Sequence, residues 1–517
     1  MARYKHYSYD QSKLIPIKYS EQIISGTFEF ALSNIVDRMN MSIFDNRFKN
    51  DEGGAPAYDP AIMLKIVLFA YSRGITSSRH IARACRENVI FMALSADSRP
   101  HFTTIASFIS SLGNEIAPLF ANILAICAQE GLIGKNMFAI DGCKISSNCS
   151  KEWSGTKKDF EKKKAKLEKS VKFLLSKHRE MDKADNNDDE DKGSSGMRKK
   201  EEEAIEKLQA KIDKIDRWMS GNDDRKNHKG KIKKSNITDN ESAKMVSSRG
   251  VIQGYNGIAA SDSKHQVIVH AEAHGEGYEG QLMKPTLEGV KKNLSAIGDD
   301  AESAMRKAVF LLDSGYSNEE NIKAVFTEEI NALIADNKYR QRDPAFKTAS
   351  RHKKPIDKRK TKKEAKYFRP KDFHLNEETG KLICPAGKEL YTENRNFVSS
   401  NGIKGIAYRG KKTDCRVCEI KSRCMRSPKS EHRQVVKFEA RIPGKKSWTD
   451  KMIEKFDTTR GRYLYSRRMG IVEPVFANIC RQIGLDRFTL RSKAKVDIQW
   501  KLYCMVHNIG KIYRYGS

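Results

Sequence analysis

Two short stretches limit what this chain can fold into more than anything else in it. Residues 137–144, MFAIDGCK, and residues 309–316, VFLLDSGY, each run apolar for four positions and then deliver an aspartate with a glycine close behind. A short apolar run closed by turn residues reads as a strand buried on both faces, the kind found where helices cover a sheet on either side. Asp141 and Asp313 then terminate two strands of one mixed sheet, and strand ends are where open α/β sheets place their ligands. Either acid alone would serve as a turn residue or a helix cap. Facing one edge together, two carboxylates repel and resist ionisation unless cations lie between them. Two divalent ions roughly 4 Å apart are the usual device for displacement at phosphorus, and Mg2+ or Mn2+ suits an all-oxygen site.

A third acid joins them. Glu473 lies in YSRRMGIVEPVF, a helical stretch in which Ile471, Val472, Val475 and Phe476 would pack while the lone acid points across the sheet as a buried group in need of partners. Tyr465 and Arg468, on the preceding turns, bring a phenol and a guanidinium to the same groove, where arginine can grip a phosphate bidentately. Arg467 or Arg468 taken singly could equally form a surface salt bridge.

Around these acids the pattern divides the chain. Residues 1–135 are mainly helical, with DPAIMLKIVLFAYSRG opening on an aspartate cap followed by proline and closing on glycine. The stretch TSSRHIARAC is the best recognition element if these helices read DNA as a helix-turn-helix; the alternative is a compact helical cap. Residues 136–337 hold the first part of an α/β core, interrupted at 151–235 by two charged helices in a hairpin with DNNDDEDKGSSG at its tip. GVIQGYNGIAAS and HQVIVHAEA read as a β-hairpin turning at DSKH, a helix spans about 280–294, and VFLLDSGY leads to a helix capped at Ser317, then the strand INALIADN. Residues 338–455 form a basic, loop-rich insertion, and 456–517 return to helix.

Charge narrows the function. Lys and Arg total 96 against 66 Asp and Glu, a net +30, which fits a polyanionic partner, nucleic acid before any other. No apolar run reaches the roughly 20 residues a membrane-spanning helix needs, and the first residues lack the apolar core of a signal peptide, so a cytoplasmic location is expected. Between 338 and 371 stand 15 Lys or Arg, Lys353, Lys354 and Arg359 among them, against Asp343, Asp357 and Glu364, with Asp372 next. Such a segment, with aromatics interleaved, can follow a phosphate backbone or can be a plain basic loop. Cys384, the C-x-x-C pair Cys415 and Cys418, and Cys424 give four thiols in that insertion, enough for a tetrahedral structural Zn2+ site or, alternatively, free thiols.

FAIDGCKISSNCSKEW, FLLDSGYSNEEN, YSRRMGIVEPVFANI and AYDPAIMLKIVLFAYSRGITSSRHI together resemble the DDE transposases of bacterial insertion sequences, specifically the insertion sequence 1182 family, over nearly the whole chain. The resemblance implies an RNase H-like sheet, catalytic Asp141, Asp313 and Glu473 holding two Mg2+ ions, and Tyr465 and Arg468 as part of a tyrosine-arginine-glutamate signature. It departs from the commoner pattern by one residue between Arg468 and Glu473. Cys480, with Arg481 beside it, stands where a lysine is expected, and Gly280 where a histidine is expected. The activity implied is metal-dependent cleavage at insertion-sequence ends and 3′-hydroxyl strand transfer into target DNA. Its partners would be the terminal inverted repeats, target DNA and a second copy of the chain, on the bacterial nucleoid. The rivals are an RNase H-like nuclease without strand transfer, and a domesticated, non-catalytic DNA-binding protein.

Overall fold

A computed structural model describes residues 16–47, 56–185, 192–226, 230, 232–247, 250–298, 300–348, 367–398, 404–427, 430–438 and 447–516. They form two compact units: the chain up to Asp336 together with everything from Met452, and the segment Asn337–Lys451.

The first unit opens with helices α1 (Phe28–Asp37), α2 (Pro60–Ser72), α3 (Ser78–Glu87), α4 (Val89–Leu94), α5 (Phe102–Ser110) and α6 (Ile116–Gln129). Local chemistry sets their ends: the Asp59 carboxylate accepts the Ala61 N–H at 2.7 Å with Pro60 in the first turn, and Asn88 caps α4. The sheet follows, from β1 (Met137–Ser146), β2 (Ala243–Ser247), β3 (Gly250–Asp262), β4 (Ile268–His274), β5 (Val309–Leu312) and β6 (Ala332–Ile334). Its order is β4-β3-β1-β5-β6, with β2 pairing the early half of β3. Strands β1, β3 and β4 are antiparallel neighbours, whereas β5 and β6 run parallel to β1. Between β1 and β2 rise the antiparallel helices α7 (Lys157–Asp185) and α8 (Lys192–Gly221), clasped at their base by Phe160 edge-on to Trp218 and by buried Ile215. The tip residues 186–191 lie outside the described residues, and α8 takes Gly193–Gly196 into its first turn.

After β4 come α9 (Met283–Ala296), α10 (Ala301–Lys307) and α11 (Glu319–Thr327); α12 (Trp448–Asp457) begins in the last residues of the second unit, and α13 (Thr459–Ala477) and α14 (Lys493–Tyr515) follow it. Asn318, not Ser317, caps α11, its side chain accepting the Asn321 N–H at 2.8 Å. Helices cover both faces. On one, Gly257 of β3 lets the Trp500 ring of α14 lie against the backbone, a place where a Cβ would stand 2.9 Å from the indole. On the other, Gly289 of α9 leaves room for the His270 ring of β4. The outer edge of β4 is closed by α14 side chains: Asn508 receives the Ile268 N–H and donates to the Ile268 carbonyl, and Asp497 accepts from Ala273. Helix α14 also packs on the N-terminal helices, Tyr503 against Tyr71, so Leu32, Leu64, Ile105, Phe120, Trp500 and Tyr503 share one core. The stretch before residue 135 therefore packs as part of this unit.

The described residues of the second unit include regular structure that the sequence reading did not foresee. It carries a five-stranded antiparallel sheet of β7 (His374–Leu375), β8 (Leu382–Ile383), β9 (Glu389–Val398), β10 (Lys404–Gly410) and β11 (Gln434–Phe438), each strand pairing the next. Its strands are hard to read because two are two residues long and β9 slips register twice against β10, which breaks the alternation of inward and outward residues. Lys353, Lys354 and Arg359 lie outside the described residues. Among the described residues no helix is long and apolar enough to cross a membrane.

Candidate active site

Strand pairing brings the two aspartates together. Ile140 of β1 is the parallel partner of Leu312 of β5, so Asp141 and Asp313 are the next residues on adjacent strands, which run about 4.8 Å apart. Asp141 does not end its strand as the sequence suggested: β1 continues to Ser146 against β3, and only the pairing with β5 stops at Ile140. Asp313 does end β5, where its carboxylate accepts the Gly315 N–H at 2.8 Å and opens a short 3-10 turn through Tyr316.

Around this pair the fold assembles charges that face one another. Arg468 of α13, itself buried, places a guanidinium nitrogen 2.8 Å from Asp141. The Gly142 N–H adds a 2.8 Å hydrogen bond. Burial nevertheless pushes the Asp141 carboxyl up to about 6, with Arg468 and the Gly142 amide opposing and Asp313 and Glu279 reinforcing the rise. Glu279 is the residue that sequence reasoning missed. It sits in the short 3-10 turn after β4, held by Asn256 of β3 (Nδ2 to Oε1, 3.1 Å) and by Lys144 of β1 at 3.6 Å. Burial raises its carboxyl too, partly offset by Lys144, while Asp313 adds to the rise.

Gly315 shows how closely the acids gather. A Cβ there would lie 2.7 Å from a Glu279 oxygen and 2.9 Å from an Asp313 oxygen, so the space a side chain would fill belongs to two carboxylates. Behind them the fully buried Tyr316 hydroxyl has no hydrogen-bond partner among the described residues, and its ionisation is opposed first by burial and then by Glu279, Asp141 and Asp313. An acid in the glycine-rich run HGEGYEGQ, just past the end of a strand, was the available signal for Glu279; Asn256, an amide in a β-branched strand, was another.

The remaining expected residues are placed as follows. Glu473 lies on α13 five positions beyond Arg468, but it is exposed, not buried as the apolar context suggested, because Val472 and Val475 take the inward positions. Tyr465 is half-buried with its ring against Phe456, 4.7 Å between centroids, and its phenol is electrostatically coupled to Arg468. Arg467 and Arg481 are exposed. Cys480, in the π-helical turn that ends α13, packs its sulfur 3.6 Å from that of Cys143, two residues along β1 from Asp141. Gly280 is buried, and a Cβ there would overlap the Tyr278 ring, so this turn in its present shape has no room for the expected histidine. In the second unit, Cys384, Cys415, Cys418 and Cys424 all line one small cavity. Among the described residues, no group of three or more His, Cys, Asp or Glu side chains is already arranged to hold a metal ion.

Residues 383–513 match the family model described as a transposase DDE domain, and residues 18–111 match that of a transposase domain, DUF772. Both ends of the chain are similar to transposases. The transposase DDE match takes in Arg468, Glu473 and the four cysteines, and the other transposase match covers α1 through α4 and α5 to its last residues; Asp141, Glu279 and Asp313 fall between the two. No curated protein and no solved structure matches the chain.

Proposed function

We propose that this chain is a DDE transposase that cuts DNA at the ends of an insertion sequence and joins the freed 3′-hydroxyl to target DNA. The observation that carries the reading is the register of β1 and β5, which sets Asp141 and Asp313 side by side with Glu279 facing them. The strand order β4-β3-β1-β5-β6, three antiparallel neighbours followed by two parallel ones, supports an RNase H-like core.

The site fits divalent cations by its chemistry. The donors are carboxylate oxygens, Asp313 and Glu279 raise the affinity of Asp141 for protons, and the Tyr316 hydroxyl beside them has no hydrogen-bond partner among the described residues. Asp141 and Asp313 would hold Mg2+ or Mn2+ with Glu279 alongside, and Glu473 is the further acid that the resemblance implies. When bound, two such ions supply an activated oxygen nucleophile and neutralise charge gathering on phosphorus. Arg468 fixes the orientation of Asp141 through its ion pair, and its buried Nε has no hydrogen-bond partner among the described residues. On α3 the exposed Arg79, His80, Arg83 and Arg86 form one polar side, opposite buried Ile81, Ala82 and Cys85, and would meet the inverted repeats. The partners are double-stranded DNA and a second copy of the chain, since two ends are cut together; the setting is the bacterial cytoplasm.

The test uses linear DNA carrying the inverted repeats that flank the coding sequence, with Mg2+. Wild-type protein should nick at the element ends and should join pre-cut ends with a free 3′-hydroxyl to a target plasmid. Asp141→Asn and Asp313→Asn should bind the same DNA and do neither. Cutting by either variant overturns the assignment, and nicking without joining of pre-cut ends leaves a nuclease.

A further inference from the structure

The second unit has a site of its own. Among its described residues the apolar core is small: Phe373, Leu382, Leu390, Tyr408 and Val435 form the buried cluster, with Phe368, Ile406, Cys384 and Cys424 packed against it. Two of its helices, Lys412–Arg416 and Lys421–Cys424, are five and four residues long, far below the length at which a helix persists unaided in water. Small units with so little to bury are commonly stapled by a metal or by disulfides.

The four cysteines sit where a staple would act. Cys384 stands in the turn from β8 to β9, Cys415 in the first short helix, Cys418 between the two, and Cys424 ends the second. Turn Cys384-Pro-Ala-Gly-Lys is shaped around its sulfur: Gly387 takes a positive φ of 74°, its N–H bonds to the Cys384 carbonyl at 2.8 Å, and the Lys388 N–H points at the Cys384 sulfur at 3.4 Å. All four sulfur-bearing residues line one cavity.

We propose that Cys384, Cys415, Cys418 and Cys424 bind one Zn2+ as a structural site that ties the second unit's sheet to its two short helices. Four sulfur donors call for zinc or an iron-sulfur cluster; the absence of any need for electron transfer in DNA cutting and joining favours zinc. The thiols are not in a ligating array in the chain alone, so binding would draw them together and release their protons, coupling zinc to the folding of this unit. The four-thiol site stands without the transposase reading, whereas the preference for zinc over an iron-sulfur cluster rests on it.

The full-length chain, purified without chelator or added metal, should carry one zinc per chain by plasma mass spectrometry, and a mercurial reagent should release it. Co2+ exchanged into the protein should show the visible bands of a tetrahedral thiolate site. The double variant Cys415→Ser, Cys418→Ser should lose the metal, and Cys149→Ser should keep it. Zinc-free wild-type protein that takes up no added Zn2+ overturns the proposal, as does zinc retained by the double variant. Iron and sulfide in place of zinc, or a mass showing disulfides among the four, would equally contradict it.

Discussion

At the scale of single residues, the site is governed by competition between burial and charge. Asp141 is held near pH 6 because burial outweighs the Arg468 ion pair, and cation binding requires its carboxylate. Mg2+-dependent cleavage should therefore fall as the pH drops through about 6, and Arg468→Gln should move that midpoint upward, since it removes the largest influence holding the carboxyl down. A pH–rate profile at saturating DNA checks this. The same raised carboxyl acts oppositely on stability: protonation favours the folded chain, so its contribution is present below the unfolded value and is lost as the pH rises through about 6. Glu279 offers a second test. Glu279→Gln should weaken Mn2+ binding and cleavage by about 10- to 100-fold while DNA affinity holds, as for groups beside a metal site. An unchanged Mn2+ affinity would remove Glu279 from the site. The aspartates were legible in the sequence because each follows an apolar run; Glu279 had only the weaker signal of an acid in a glycine-rich run past a strand, because its place beside them depends on the register of β3 and on the side chain of Asn256.

Among the elements, α14 does more than its position at the end of the chain suggests. Trp500 is fully buried, donates its indole N–H to the Ile258 carbonyl at 3.0 Å and fills the space that Gly257 leaves open. Trp500→Ala should cost about 3–5 kcal/mol of stability, read by denaturant unfolding. Gly289→Ala should also destabilise, by about 1–3 kcal/mol, because its new methyl would overlap the His270 ring. Most elements of the first unit were legible from period and caps: β3 and β4 as a hairpin, α7 and α8 as antiparallel partners, β5 before its turn. What sequence could not supply was packing. The periodicity of α14 says that it is buried, not that the N-terminal helices and β4 share it, and the inward turn of Val472 and Val475 leaves Glu473 outside. The second unit's sheet was illegible for a different reason, its bulged and very short strands.

For the whole molecule, the excess of 30 positive charges sets the terms of binding. Affinity for DNA should fall steeply with salt. Arg83→Ala with Arg86→Ala on α3 should weaken binding and lower the logarithmic salt slope by about 1 for each phosphate that is no longer neutralised. Fluorescence anisotropy across a salt series measures both. A slope unchanged by these substitutions would place the DNA elsewhere on the basic surface. The proposed chemistry stands on β1 and β5 presenting two aspartates to one cation site. Crystals of the protein with DNA ends and Mn2+, measured at the manganese absorption edge, put that arrangement to the test. The expected result is anomalous density touching both Asp141 and Asp313; manganese bound elsewhere, with those two carboxylates unliganded, would contradict it.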